Sequence, residues 1–321
     1  MQAEMKFILT IGLIAAATAA GYLSRRFGLF REGLARPIMT VVIVAGYPLV
    51  GFLTIWKVRL QPSDAWLPVL GAAQATLQAM IALLIGRRLF RDREDRGLFG
   101  FACGIGNHGI TMAGFVTFLL AGEEGLGYST VYATYTYVAL VLLSYSIARH
   151  YSADAPRRSL GRLLVGSLLN WRSVGLPVCV AAIVVSACGV PRPTVFSEYH
   201  VVDVLMYLLV FTAYFSIGLR LHAAHVLEIK RMILGTLAVR HLGGAVLGLG
   251  LLSLTLLTGW PLTGLGRTVF LVQSSVPMGV FGVGVANMFY IKPRQASLLF
   301  VVTSLVYLVV GLPIVLWLFG G

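Results

Sequence analysis

The sequence predicts an all-α membrane protein, and three observations carry that prediction. Of 321 residues, 58 % are hydrophobic and 12 % charged, whereas soluble domains carry about 25 % charge. Apolar runs close to the roughly 20 residues needed to cross about 30 Å of hydrocarbon recur along the chain. Two of those runs are interrupted, one in each half, by the polar and helix-breaking stretches GIGNHG (104–109) and QSSVPMG (273–279).

The runs give ten expected spans, at 7–23, 36–56, 67–86, 98–120, 127–148, 173–190, 200–219, 232–257, 268–289 and 295–319. The first of them, within MKFILTIGLIAAATAAG, also has the composition of a secretory signal. The second span follows it after only SRRFGLFR, which favours a membrane-crossing helix. The connections are short, so no sizeable soluble domain is expected. The three cysteines, Cys103, Cys179 and Cys188, lie in apolar runs without metal-ligand spacing and read as small buried hydrophobes.

The net charge of +13 does not point to nucleic acid, because the basic residues cluster between spans and act as topology signals. With the N-terminus outside, nineteen Lys and Arg fall in the five cytoplasmic connections and five outside, with Arg240 inside span eight. Both termini are therefore expected outside.

Ten spans divide into two sets of five, so the second set begins on the opposite side of the bilayer. Inverted five-helix repeats of this kind are a transporter architecture, and interrupted spans at matching positions mark its binding site. FLTIWKVRL (52–60) and YFSIGLRL (214–221) end spans two and seven alike. Glycine permits close backbone approach, and proline removes an N–H and clashes with the preceding turn. Gly104, Gly106, Pro277 and Gly279 are thus the expected helix-breaking residues. Backbone groups freed at such breaks must face protein or a water-filled cavity, and the half-helix starting there offers its positive end to an anion.

With these residues in view, the chain resembles the auxin efflux carrier family of PIN-like transporters, over about residues 7–318. The likeness rests on GNHGITMAGFVTFLLAGEEGLGYSTV (106–131), FSIGLRL (215–221), LAVRHLGGAVLGL (237–249), the stretch 274–316 with Pro277, and GYPLVGFLTIWK (46–57) with Pro48. His108 stands where the family has a small residue, and Gly114 where it has a proline. The resemblance implies a fold like that of sodium–proton antiporters and bile acid symporters. Spans 1–2 (residues 1–66) and 6–7 (151–222) would form a scaffold, and spans 3–5 (67–150) and 8–10 (223–321) a moving core. It further implies elevator-type transport of a small organic anion such as a carboxylate, and a homodimer through the scaffold.

Asn107 is the first expected substrate contact, since its amide both donates and accepts, with Gly109 beside it. His108 is a candidate for substrate binding or proton coupling, as an ionisable group within a span. Gln273, Ser274, Ser275 and Pro277 line the mirrored break, although serines in membrane helices often bond back to their own helix. Gln74 and Gln78 share one helix face and suit the pocket or interhelical bonding. Tyr135 is a candidate pocket residue. Asp203, the one carboxylate placed within a span besides Glu198 at its mouth, is a candidate H⁺ or Na⁺ site. Arg240 reads as a partner for carbonyls.

Other classes fit less well. A Na⁺-coupled carrier of the bile-acid-symporter kind is the main alternative, with a non-transport membrane sensor behind it. Enzyme activity is not expected, because there is no second intramembrane Asp and no GxSxG, and ATP-driven transport by this chain alone is not expected, because there is no GxxxxGK[ST]. No cofactor or metal is implied. The expected location is a bacterial inner membrane.

Overall fold

The computed structural model describes residues 3–153, 161–162, 165–166, 173–221 and 226–320. Arg157, Arg158, Arg172 and the expected boundary at 222/223 lie outside the described residues. The described chain is helical, with no strand beyond a single isolated bridge. In order the elements are α1 (Ala3–Arg26), α2 (Glu32–Lys57), α3 (Pro62–Leu89) and α4 (Arg93–Gly104). They continue with α5 (Ala113–Tyr151), α6 (Gly175–Ala187), α7 (Val201–Leu219) and α8 (Val226–Thr258). The last three are α9 (Gly264–Ser274), α10 (Val280–Met288) and α11 (Pro293–Phe319). Six of these, α2, α3, α5, α7, α8 and α11, are long and apolar enough to cross a membrane.

Local sequence explains the irregularities. Gly122 (φ 58°) and Ala121 leave the helical region and break α5 into two arms. The π-helical stretches at Val42–Gly46 and Tyr307–Gly311 each lie just before a proline, Pro48 and Pro313, whose missing N–H makes the wider turn inexpensive. A third, at Ala238–Gly243, swells α8 at Arg240 and His241.

Between apolar helices in lipid, association rests on packing and interhelical hydrogen bonds. Helix α1 lies along α7, α2 packs on α6 and on α5, and α3 packs on α4. One buried cluster joins Val50 and Leu53 of α2, Met206 and Val210 of α7, and Phe115 and Val116 of α5. Another joins Phe99 and Phe101 of α4 to Ile233 of α8 and to Phe289 and Phe300. The breaks α4–α5 and α9–α10 contribute to both, Ile110 and Val276 to the first, Cys103 and Met278 to the second.

Two ionic ties hold the ends. Glu123, in the turn within α5, accepts from Arg192 and lies 3.6 Å from the Lys57 ammonium. Arg192 also donates to the Leu53 carbonyl (3.0 Å) and to Ser197 (3.2 Å). The Glu123 and Arg192 side chains are nearly buried, at 9 % and 7 % exposure. The sequence had placed no carboxylate here. Cys188 also departs from expectation: it is exposed, because it follows the last turn of α6 just before the reversal at Gly189 (φ 67°). At the other tie, Lys292 donates to Asp92 and to Asp95 (2.6 Å), joining the start of α4 to that of α11. Asp92 additionally caps α4 through the Glu94 N–H. The Lys292 hydrogen bond holds the Asp92 carboxyl below the usual carboxylate range.

Removing one member of a buried pair leaves its partner charged and desolvated. Glu123→Gln is expected to destabilise by about 3 kcal/mol, whereas Lys57→Gln, at a 38 % exposed side chain, is expected to cost less than about 1 kcal/mol. Thermal melting of the purified variants checks the difference. The Asp92 contribution is present above the ordinary carboxylate pKa and is lost as pH falls through its lowered value. Lys292→Gln is expected to flatten that part of the pH–melting curve.

Candidate functional site

Both interrupted runs unwind, and the two breaks cross. Helix α4 ends at Gly104 and α5 begins at Ala113; α9 ends at Ser274 and α10 begins at Val280. Gly106 and Met278 form an antiparallel bridge, flanked by Asn107 N–H to Pro277 O (2.8 Å) and Gly279 N–H to Ile105 O (3.0 Å). The backbones approach so closely that a Cβ on Gly106 would collide with the Arg240 guanidinium, and one on Gly279 with the Gly106 carbonyl.

Arg240 holds the crossing from beneath. Its side chain is buried, with Nε donating to Val276 O (2.9 Å) and Nη1 to Cys103 O (3.0 Å) and Gln78 Oε1 (2.6 Å). His241 donates from Nδ1 to Ser275 O in the tautomer this contact requires. A helix C-terminus carries about half a negative charge, so the ends of α4 and α9 together offset roughly one cation. Arg240 is that cation, and no carboxylate among the described residues bonds it. Its Nη2 has no partner among the described residues.

The glutamines of α3 complete the support. Gln74 donates to Gly244 O (3.1 Å) and Ser274 O (2.7 Å), and Gln78 to Val239 O (3.2 Å). Both join helices to one another. The Ser274 hydroxyl bonds back to Leu271 O (2.6 Å) and packs against α8 at Gly248, while the Ser274 carbonyl lies against Gly244.

His108 is buried and fully bonded. Its Nε2 accepts from the Gly106 N–H (3.2 Å), so Nδ1 carries the proton and donates to Gln273 Oε1 (2.8 Å). The Gln273 amide then donates to the Ser129 hydroxyl. Tyr132 and Tyr135 flank the imidazole at 5.1 and 5.7 Å between ring centroids.

Asn107 behaves differently from its neighbours. Its Oδ1 accepts from Thr111 Oγ1 (2.6 Å), and its Nδ2 bonds no group among the described residues. The N–H groups of His108, Gly109, Ile110 and Thr111 likewise donate to none of the described residues. A Cβ on Gly109 would meet no atom within 4 Å, so open space borders the backbone there. Neither α5 nor α10 has a side-chain N-cap or an acidic residue in its first turn. The crossing therefore shows unpaired donors and two uncapped positive helix ends, an arrangement suited to an anion.

The structure brings Gly106, Asn107, His108, Gln273, Pro277, Gly279 and Tyr135 together, with Gly104, Gly109, Ser274, Ser275, Gln74 and Gln78 around them. Asp203 is elsewhere: it pairs with His200 (3.0 Å) at the exposed start of α7. Tyr214, which reaches the break by donating to Thr111 O (2.7 Å), lies eleven residues along α7, about 16 Å away at 1.5 Å per residue. Ser129, Thr111 and Tyr132 join the site without having been singled out by the sequence. Thr111 stands four residues after Asn107, a spacing that could have flagged it; Ser129 carries no such signal.

The chain matches no family model and no curated protein sequence. The helices and the crossing define the class, a helical protein embedded in a membrane.

The close approach at Gly106 and the open space at Gly109 separate two neighbouring glycines. Gly106→Ala is expected to destabilise by about 2–3 kcal/mol through overpacking, and Gly109→Ala by under about 0.5 kcal/mol. Equal melting temperatures for the two variants would contradict the crossing geometry.

Proposed function

We propose that this protein is a secondary transporter of the PIN-like, auxin-efflux-carrier type, carrying a small organic anion, most simply a carboxylate. The chain would cross the membrane ten times, in two five-helix halves of inverted topology. The two broken pairs, α4/α5 and α9/α10, would each count as one crossing, with α1 and α6 added to the six long helices. Helices α1, α2, α6 and α7 would stand as the scaffold while the rest moves as an elevator, in a cell membrane with both termini outside.

The observation that carries this reading is the electrostatic balance of the crossing. Arg240 offsets the two C-terminal helix ends. The two N-terminal ends, each worth about half a positive charge, are then left uncompensated beside the unpaired Asn107 amide and the N–H groups of residues 108–111. A carboxylate between them would take the donors that the fold leaves open. No motif for nucleotide binding occurs in the sequence, which fits movement down a gradient.

The test uses purified protein with a panel of mono- and dicarboxylates, read as melting-temperature shifts and then as flux into proteoliposomes. A ligand of the native state raises its stability, so a subset of carboxylates is expected to raise the melting temperature, and those same compounds are expected to be transported. Asn107→Asp keeps the acceptor for Thr111 but replaces the donor with a negative charge. It is expected to weaken binding at least about tenfold, the scale of one hydrogen bond to a charged group. If Asn107→Asp binds and transports as the parent does, the crossing is not the anion site.

A further inference from the structure

Three helix ends meet on one face of the molecule, away from the crossing. The C-terminus of α3, the N-terminus of α8 and the first turn of α11 enclose a cavity of about 850 Å³. Arg88, Arg91, Lys230 and Arg231 line it, and none of the four side-chain cations bonds any group among the described residues. Three carboxylates also line it, Asp92, Asp95 and Glu228, and the first two are already taken by Lys292. The loop that presents Arg91 is fixed by Arg96, which donates to Phe90 O (2.9 Å) and Arg91 O (3.3 Å). Four cations, from α3, the loop after it and α8, thus face the cavity with Glu228 as the one carboxylate there that Lys292 does not take, which leaves cations in excess.

Two further features narrow what they fit. The cavity walls include the apolar side chains of Phe90, Ile229 and Met232. Beside them, Leu84, Leu89, Leu227 and Leu234 stand exposed on helices of membrane-crossing length. A ligand here meets cations at its head and an apolar surface alongside. The Gln295 amide oxygen also lines the cavity and is buried without a hydrogen-bond donor. It would accept from a hydroxyl placed close to the phosphate.

We infer that this cavity binds the headgroup of an anionic phospholipid of the phosphoglycerol type. The phosphate sits among Arg88, Arg91, Lys230 and Arg231, a glycerol hydroxyl donates to Gln295, and the acyl chains lie on the exposed leucines. Basic pockets at the ends of membrane helices hold anionic headgroups in this way. The site is independent of the crossing and of the transport reading.

The test measures lipid binding by native mass spectrometry and melting temperature on the full chain in a neutral detergent. The probes are phosphatidylglycerol, phosphatidic acid, phosphatidylcholine and inorganic phosphate. Phosphatidylglycerol is expected to bind and to raise the melting temperature, while phosphatidylcholine and inorganic phosphate leave both unchanged. Each lost cation is expected to weaken binding about fivefold, so Arg231→Gln shows that loss and Arg88→Gln/Arg231→Gln a larger one, while Arg231→Lys retains binding. Gln295→Leu is expected to weaken phosphatidylglycerol and to spare phosphatidic acid, which lacks the hydroxyl. These side chains are exposed, apart from Gln295, and their replacement leaves the lipid-free melting temperature in place. Equal phosphatidylglycerol binding by the parent and the double variant would overturn the proposal, as would an equal response to phosphatidylcholine. A response to inorganic phosphate equal to that of the lipid would reassign the cavity to a soluble anion and overturn the lipid site.

Discussion

Everything at the centre of this molecule depends on one guanidinium placed under two helix ends. A break in a membrane helix exposes carbonyls that lipid cannot satisfy, and two such breaks at one depth would double the problem. Arg240 meets it with donors to Cys103 and Val276, one carbonyl from each break. The cost of burying its charge, several kcal/mol for an isolated ion, is offset by the negative ends of α4 and α9 and by Gln78. Neither part is stable alone: without the carbonyl ends the cation is unpaired, and without the cation the ends repel.

That arrangement sets the character of the space above it. With the C-terminal ends answered, the positive ends of α5 and α10 dominate locally. Gly106 and Gly279 keep the backbones close enough for the two short ladder bonds, so the donors of residues 108–111 are held on a rigid frame. His108 belongs to the frame: it accepts from Gly106 and donates toward Gln273, and Ser129 ends the chain. In this conformation both imidazole nitrogens are occupied, so a proton added at Nε2 would face the Gly106 N–H and break a bond of the crossing itself. Asn107, by contrast, keeps one end of its amide available.

Much of this centre was legible in the sequence. Glycine, asparagine and proline inside apolar runs have no use in a straight membrane helix, so GIGNHG and QSSVPMG announced their breaks, and their matched positions suggested that they meet. Arg240 and the paired glutamines of α3 were legible as partners for carbonyls, because a polar group in that setting must find one. What could not be read were contacts between distant stretches that carry no periodic signal. Glu123, Arg192 and Lys57 come from three separate connections, and in sequence each looked like an ordinary interfacial charge. Ser129 lies on an unremarkable helical face. Asp203 drew attention only as an acid within an apolar run, and its place in the first exposed turn of α7, beside His200, accounts for it as a helix-end charge.

The claim at the centre of this account is that an anion occupies the space beside Asn107 and Gly109, at the uncapped starts of α5 and α10. The most direct measurement is a crystal structure with a brominated carboxylate chosen from those that stabilise the protein, located by anomalous scattering. The account predicts a bromine peak in the space beside Gly109, with the carboxylate accepting from Asn107 Nδ2 and from N–H groups of residues 108–111. A peak elsewhere, with those donors filled by water, would contradict it.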